Sequence, residues 1–180
     1  MPSTAATLLR RLPAAASLSR HESARLARQA RERDLAPEEI LFRQGDPAEH
    51  MYLVLAGSLL VRAVLPGGEE LTLGRVFPGD VVGEMGLLEC SPRSGTLVCE
   101  REAVLLVIDR VTWNAMLAED DAIASWLLER CAEGLARRIG AVMERIVAAS
   151  QDPTLLRQLP EAPQPRRRGL MAWLLGPGGV

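Results

Sequence analysis

The sequence predicts an α+β fold, a strand-rich body with helices before and after it, and three features lead there. Between Met51 and Asp109 the chain runs in short extended segments separated by turns, the spacing of a small all-β unit. After Asp109 the apolar positions recur at steps of three and four, which is the period of a helix. Ahead of the strands, Ser19 to Asp34 reads as an amphipathic surface helix with Ala24, Leu26, Ala27 and Ala30 near one face.

That first helix begins with Ser19 followed three residues later by Glu22, the pairing of a capping box. Pro37 breaks it, a strand from Ile40 to Arg43 follows, and turns are expected at Gly45-Asp46-Pro47 and just before Met51. The runs MYLVLAG, SLLVRAVL, ELTLGRV, GTLVCE and AVLLVID then read as successive strands, with PGGEE as hairpin punctuation between the second and third. Such a series suits a small barrel, a sandwich or a jelly roll.

The helical part opens at DRVTWNAMLAEDD, capped by Asp109 or Thr112, and a longer helix is expected from Asp120 to Ala149. Leu127, Cys131, Leu135, Ile139, Val142 and Ile146 keep to one stripe of it. Gly134 and Gly140 weaken such a helix by up to ~1 kcal/mol each unless close packing calls for them. Pro153, Pro160, Pro163 and Pro165 end regular structure, and RRRGLMAWLLG follows. The layout is therefore an N-terminal extension over 1–16, a domain over 17–150 with strands in about 38–109 and helices in about 110–149, and a Pro/Arg-rich tail over 151–180. The tail reads as a disordered end; its cationic cluster beside Trp173 and leucines also suits weak contact with a membrane surface.

Composition narrows the function classes. The 180 residues carry 48% hydrophobic side chains and a formal charge of −2, enough for a sizeable core and too little positive charge for a protein devoted to nucleic acid. All 21 basic residues are arginine, and no function is read from that. Cys90, Cys99 and Cys131 match neither a zinc pattern nor a disulfide framework, and two histidines far apart do not suggest a metal site. The sequence shows no membrane-spanning run and no signal-peptide pattern, so a cytoplasmic protein is expected. It also shows no nucleophile elbow, HExxH or Walker loop, and no enzymatic activity is expected.

One stretch carries chemistry. Residues 83 to 96, GEMGLLECSPRSGT, hold Gly83, Gly86 and Gly95 with Glu84 and Arg93 in a short turn between strands. A glycine-rich turn opening a short helix presents backbone N–H groups to an anion, and the planar fork of an arginine matches two phosphate oxygens. Glu84 would repel a phosphate, but it can accept a hydrogen bond from a sugar hydroxyl beside one. The bland alternative is a salt bridge between Glu84 and Arg93 across a structural turn, with the glycines serving as turn residues of positive φ, a reading that suits Gly86 best.

The same stretch resembles, without a gap, the phosphate-binding cassette of cyclic-nucleotide-binding domains of the catabolite-activator and protein kinase A regulatory-subunit type. ILFRQGDPAEHMYLVLAGSLLV, with Gly45 and Gly57, looks like the family's first strands, and VIDRVTWNAML like the helix after its β-roll. The resemblance covers residues 17 to 148 and implies a jelly-roll-like β-roll flanked by an N-terminal helix and a C-terminal helix pair. It implies that Arg93 pairs with the cyclic phosphate of cAMP or cGMP, that Glu84 binds the ribose 2′-hydroxyl, and that Gly83 and Met85 offer backbone around the sugar. Ser94 and Gly95 would supply N–H groups to the phosphate. Ser94 in place of threonine favours cAMP over cGMP, and Arg137, Arg138 or a neighbour is expected over the base. Gly95 departs from the commoner alanine, and Glu38 stands where the family often has glycine. The resemblance further implies a homodimer through the long helix and output to an unknown effector protein. The proline-rich residues after that helix do not resemble the family's DNA-binding domain, so DNA is not an expected partner. A ligand-independent interaction scaffold on the same fold is the alternative.

Overall fold

A computed structural model of the protein describes residues 4–65, 67–119 and 121–150. The chain divides into two compact units between Ile139 and Gly140. The first contains α1 (Thr4–Arg11), a 3-10 turn (Pro13–Ala15), α2 (Arg20–Gln29), β1 (Arg31–Leu35), β2 (Ile40–Phe42), β3 (His50–Val64), β4 (Glu70–Val76), β5 (Val81–Val82), α3 (Glu84–Glu89), β6 (Thr96–Asp109) and α4 (Arg110–Ala118). The last helix, α5 (Ala122–Ser150), starts in the first unit and runs into the second. The tail over 151–180, with its expected disorder and membrane contact, lies outside the described residues.

All pairings in the sheet are antiparallel, in the order β1-β6-β3-β4, with β2 added to β6 and β5 to β3. The long strands β3 and β6 form the spine, and side chains alternate across it because successive residues of a strand point to opposite faces. Met51, Leu53 and Leu55 join Leu106 and Ile108 in a core shared with the helices. Tyr52, Val54 and Leu59 join Ala103, Leu105 and Val107 in a second core inside the roll. Burial on both faces is why MYLVL and AVLLVI are apolar throughout instead of alternating.

Two of the expected turns lie within strands. MYLVLAG and SLLVRAVL form the single strand β3, and GTLVCE and AVLLVID the single strand β6. Gly57 sits where the β3–β6 register shifts. Its φ is +82°, and a Cβ there would fall 2.2 Å from the Glu102 carbonyl oxygen, so this glycine permits a bulge and a close strand approach.

The N-terminal boundaries also differ from expectation. The first helix ends at Gln29, because Ala30 is already extended (ψ 156°) and Arg31–Leu35 pairs with Ala103–Val107 as β1. RERD has good helix formers, but the ladder to β6 and the burial of Leu35 decide its structure. The strands therefore begin at Arg31, not near residue 38. The segment 4–16, part of the expected extension, contributes α1 and the 3-10 turn to the helical core: Ala5 and Leu9 are buried on one face of α1, four residues apart, and Leu12 is buried just beyond it. Glu32 accepts from the Ala5 amide at 3.0 Å, and the Trp126 indole donates to the Ala14 carbonyl at 2.9 Å.

Ser19 and Glu22 form the reciprocal capping box of α2. Asp109 caps α4 by accepting from the Thr112 amide at 2.7 Å. Beyond Asp121, whose carboxylate accepts from the Ile123 amide and pairs with Arg25 of α2, α5 buries Ile123, Trp126, Leu127 and Cys131. Ile139 is exposed at the end of the first unit, and in the second Met143, Ile146 and Val147 are exposed.

Candidate functional site

The stretch 83–96 forms one continuous device between β5 and β6. Gly83 takes φ +74° as the N-cap of α3, a conformation that side chains disfavour. Cys90 closes α3 in the left-handed region at φ +52°. Gly86 is helical; its positive φ was the expectation, but its role is contact, since a Cβ there would stand 2.3 Å from Ala48 Cβ. Gly95 likewise owes its place to closeness, with a Cβ position 2.8 Å from the Arg62 carbonyl oxygen. Met85 is exposed on α3 and Ser94 is exposed beyond it, whereas Glu84, Arg93 and Gly95 are buried.

Arg93 is held from several sides. Its amide donates to the Asp46 carbonyl and its carbonyl accepts from the Gly45 amide, both at 2.9 Å. That fixes the residue to the loop between β2 and β3. Its Nη1 donates to the Gly83 carbonyl at 2.7 Å. The guanidinium lies over the Phe42 ring, with Tyr52 farther out at 5.6 Å. The residue is 4% exposed, and its buried Nε has no hydrogen-bond partner. Burial lowers its pKa, while the Tyr52 hydroxyl and the Asp46 and Glu84 carboxylates pull the other way. An arginine stays charged under such pressure.

Glu84 has a different partner. Arg138 of α5 donates from Nη2 to Glu84 Oε1 at 2.7 Å, and the Glu84 side chain is 3% exposed. Burial raises its pKa, against the lowering pull of Arg138, its own amide and Arg93. The expected alternative of a Glu84–Arg93 bridge is thus replaced by a Glu84–Arg138 pair, with Arg93 turned to the Gly83 carbonyl. One residue earlier on α5, Arg137 pairs with Asp80 at the head of β5. The nearby Cys131 thiol is pushed up to about 12, by burial first and the Glu84 charge second.

The arrangement offers a buried cation at one end of a glycine-rich turn and a carboxylate at the other, both near the Gly83 carbonyl. The family model for the cyclic nucleotide-binding domain matches residues 32–120. The chain belongs to the cyclic nucleotide-binding domain family.

Three relatives give this domain its setting. The cyclic AMP receptor protein of Thermus thermophilus is 34% identical over 99 residues, 55% of this chain and 44% of that protein. The N-terminal domain of a Streptomyces coelicolor transcriptional regulator is 30% identical at a TM-score of 0.56, covering 77% of this chain and 94% of that one. A cyclic nucleotide-binding domain from Methylobacillus flagellatus, 22% identical, shares the fold at a TM-score of 0.67 over 80% of this chain and 81% of that one. The chain spans about half or less of the length of the curated relatives it matches. Among the described residues no helix is long and apolar enough to cross a membrane.

Several residues of this cyclic nucleotide-binding domain were not readable as site residues. Phe42 and Tyr52 support Arg93 from β2 and β3, and their pairing across the roll (ring centroids 5.8 Å apart) has no local sequence signal. Arg138 was expected, with Arg137 or a neighbour, over the base; its pairing with Glu84 is what the sequence did not show, since the helical register of α5 selects it. Arg110, the first residue of α4, donates to the carbonyls of Leu87 and Ala48, each at 2.8 Å, and so ties α4 to the end of α3. Its half-buried guanidinium finds these carbonyl partners only through the fold, which the sequence alone does not reveal.

Proposed function

We propose that the chain is a cyclic-nucleotide sensor in which Arg93 takes the cyclic phosphate and Glu84 the ribose 2′-hydroxyl. The observation that carries this reading is the Arg93 guanidinium, 4% exposed and with an unpartnered Nε, pointing to a compact anionic partner inside the turn. Gly83 and Met85 line the sugar with backbone, and Ser94 and Gly95 direct N–H groups to the phosphate. Cyclic AMP is the preferred ligand over cyclic GMP because Ser94 stands at the position after the arginine, and the name of the Thermus relative supports it. The chain acts in the cytoplasm and carries no catalysis: the turn supplies a cation and a carboxylate but no nucleophile with an adjacent base.

Signalling runs through α4 and α5. A ligand shifts the packing of these helices only as far as it binds one packing more tightly than another, about 1.4 kcal/mol for each tenfold preference. Arg110 supports this route, since its bonds to Leu87 and Ala48 join α4 to the turn. The output is a homodimer through α5, supported by the exposed Met143, Ile146 and Val147, and through it an effector protein.

Titration calorimetry of the whole chain with cyclic AMP and cyclic GMP tests the reading. Micromolar or tighter binding of cyclic AMP, weaker binding of cyclic GMP, and at least tenfold loss in Arg93→Ala are expected. No binding of either nucleotide by the folded protein would favour the ligand-independent scaffold instead.

A further inference from the structure

Glu84 is a buried carboxylate whose solvent side is occupied. Its side chain is 3% exposed, while that of Arg138, bonded to it at 2.7 Å, is 20% exposed. The guanidinium therefore lies between the carboxylate and solvent. The approach is built in: Gly134 lies one helical turn before Arg138, and a Cβ there would stand 3.3 Å from Arg138 Nη1 and 3.8 Å from the Val81 carbonyl oxygen. The missing side chain gives Arg138 room to fold back across its own helix, while α5 lies within ordinary contact of the Val81 carbonyl of β5. Arg137 fastens the same turn of α5 to Asp80.

We infer that Arg138 is a built-in competitor for the ribose-binding carboxylate, an affinity-setting residue that must give up Glu84 before a nucleotide sugar can use it. The inference rests on the reading of Glu84 given above. Both a guanidinium and a ribose hydroxyl make charge-assisted bonds to an ionised Glu84, but only the guanidinium brings the opposite charge that compensates a buried carboxylate. A neutral ribose hydroxyl that replaces it therefore starts at a deficit, which lowers the affinity of the whole site. The exchange has a mechanical side as well. Releasing Glu84 removes one of the two ion pairs that fasten this turn of α5, the other being Arg137–Asp80, so the contact that limits affinity is also one whose loss loosens the helix.

Two measurements on the full chain test this, one with nucleotide and one without. In calorimetry with cyclic AMP, Arg138→Gln is expected to bind at least fivefold tighter than wild type, and Arg138→Lys to lie between them. In an Glu84→Gln background the same Arg138→Gln change is expected to move affinity less than twofold. Equal or weaker binding by Arg138→Gln overturns the competition and makes Arg138 a direct ligand contact or a bystander. Without nucleotide, hydrogen exchange of the α5 amides from 134 to 139 is expected to accelerate at least fivefold in Arg138→Gln, and in Arg138→Lys if the glutamine variant does not fold. Unchanged protection overturns the fastening. If wild type binds neither cyclic AMP nor cyclic GMP while exchange accelerates as expected, the nucleotide reading has failed and the fastening of α5 by Arg138 stands.

Discussion

The guanidinium of Arg93 lies over the ring of Phe42, its Cζ 4.2 Å from the ring centroid. A ring on one side and the Gly83 carbonyl at 2.7 Å on the other leave the planar fork few orientations. The aromatic face also offsets part of what burial takes from the cation. Phe42→Leu keeps most of the volume and removes the π-face. Its affinity for cyclic AMP is expected to fall about fivefold, equivalent to ~1 kcal/mol, with little change in thermal midpoint. Calorimetry beside a melting curve checks it, and unchanged affinity would show that the Phe42 ring does not orient the arginine.

Helix and strand types were legible where periodicity is strong, and boundaries failed where long-range pairing decides. Asp109 as a cap and the Ser19–Glu22 box need only neighbours three residues apart, and both are present. By contrast, RERDL becomes a strand because Ala103–Val107 lies beside it, a partner some seventy positions away that local propensity does not register. Gly57 looks like a turn for the same reason, since its bulge is defined by the opposing Glu102 and Ala103. At the site, the turn was readable because its residues are contiguous. Phe42 and Tyr52 reach it from two strands and were not, and Arg138 of α5 was named only among candidates for the base, not as the partner of Glu84.

Glu38 takes a left-handed φ of +65°, which explains why glycine is the commoner residue there in the family resemblance. It is exposed, and its amide donates to the Cys99 carbonyl at 2.8 Å, so the backbone holds the conformation while the side chain strains it. Glu38→Gly is expected to stabilise the fold by ~0.5–1 kcal/mol after the entropy cost of glycine. Urea denaturation at constant m-value measures it, and a loss of stability would mean that the Glu38 side chain makes a compensating contact.

The second unit presents Met143 and Val147 to solvent, 53% and 54% exposed and one helical turn apart, with Ile146 beside them. If a second copy covers this face, charges there oppose it directly. Met143→Glu with Val147→Glu is expected to halve the mass seen in sedimentation equilibrium at micromolar concentration while leaving the circular dichroism of the first unit unaltered. A wild-type chain that sediments as a monomer would remove the dimer from the proposed output.

Burial places Glu84 above the ordinary glutamate value of 4.5, with Arg138 the largest opposing influence, and stability should record which of the two prevails. A raised carboxyl pKa means that the folded chain holds this proton to higher pH than the unfolded chain does. The resulting stabilisation is fully present below 4.5 and is lost as pH rises through the folded value. Glu84→Gln has no such proton to lose, and the other shifted carboxyls, such as Asp109 and Glu22, remain in both proteins and cancel in the comparison. The stability of wild type relative to Glu84→Gln, from urea titrations at successive pH values upward from 4, is therefore expected to decline with rising pH and then level off. A difference that grows with pH would mean that Arg138 outweighs desolvation and holds the carboxylate ionised, which would strengthen its grip on Glu84 and increase the affinity that Arg138→Gln recovers.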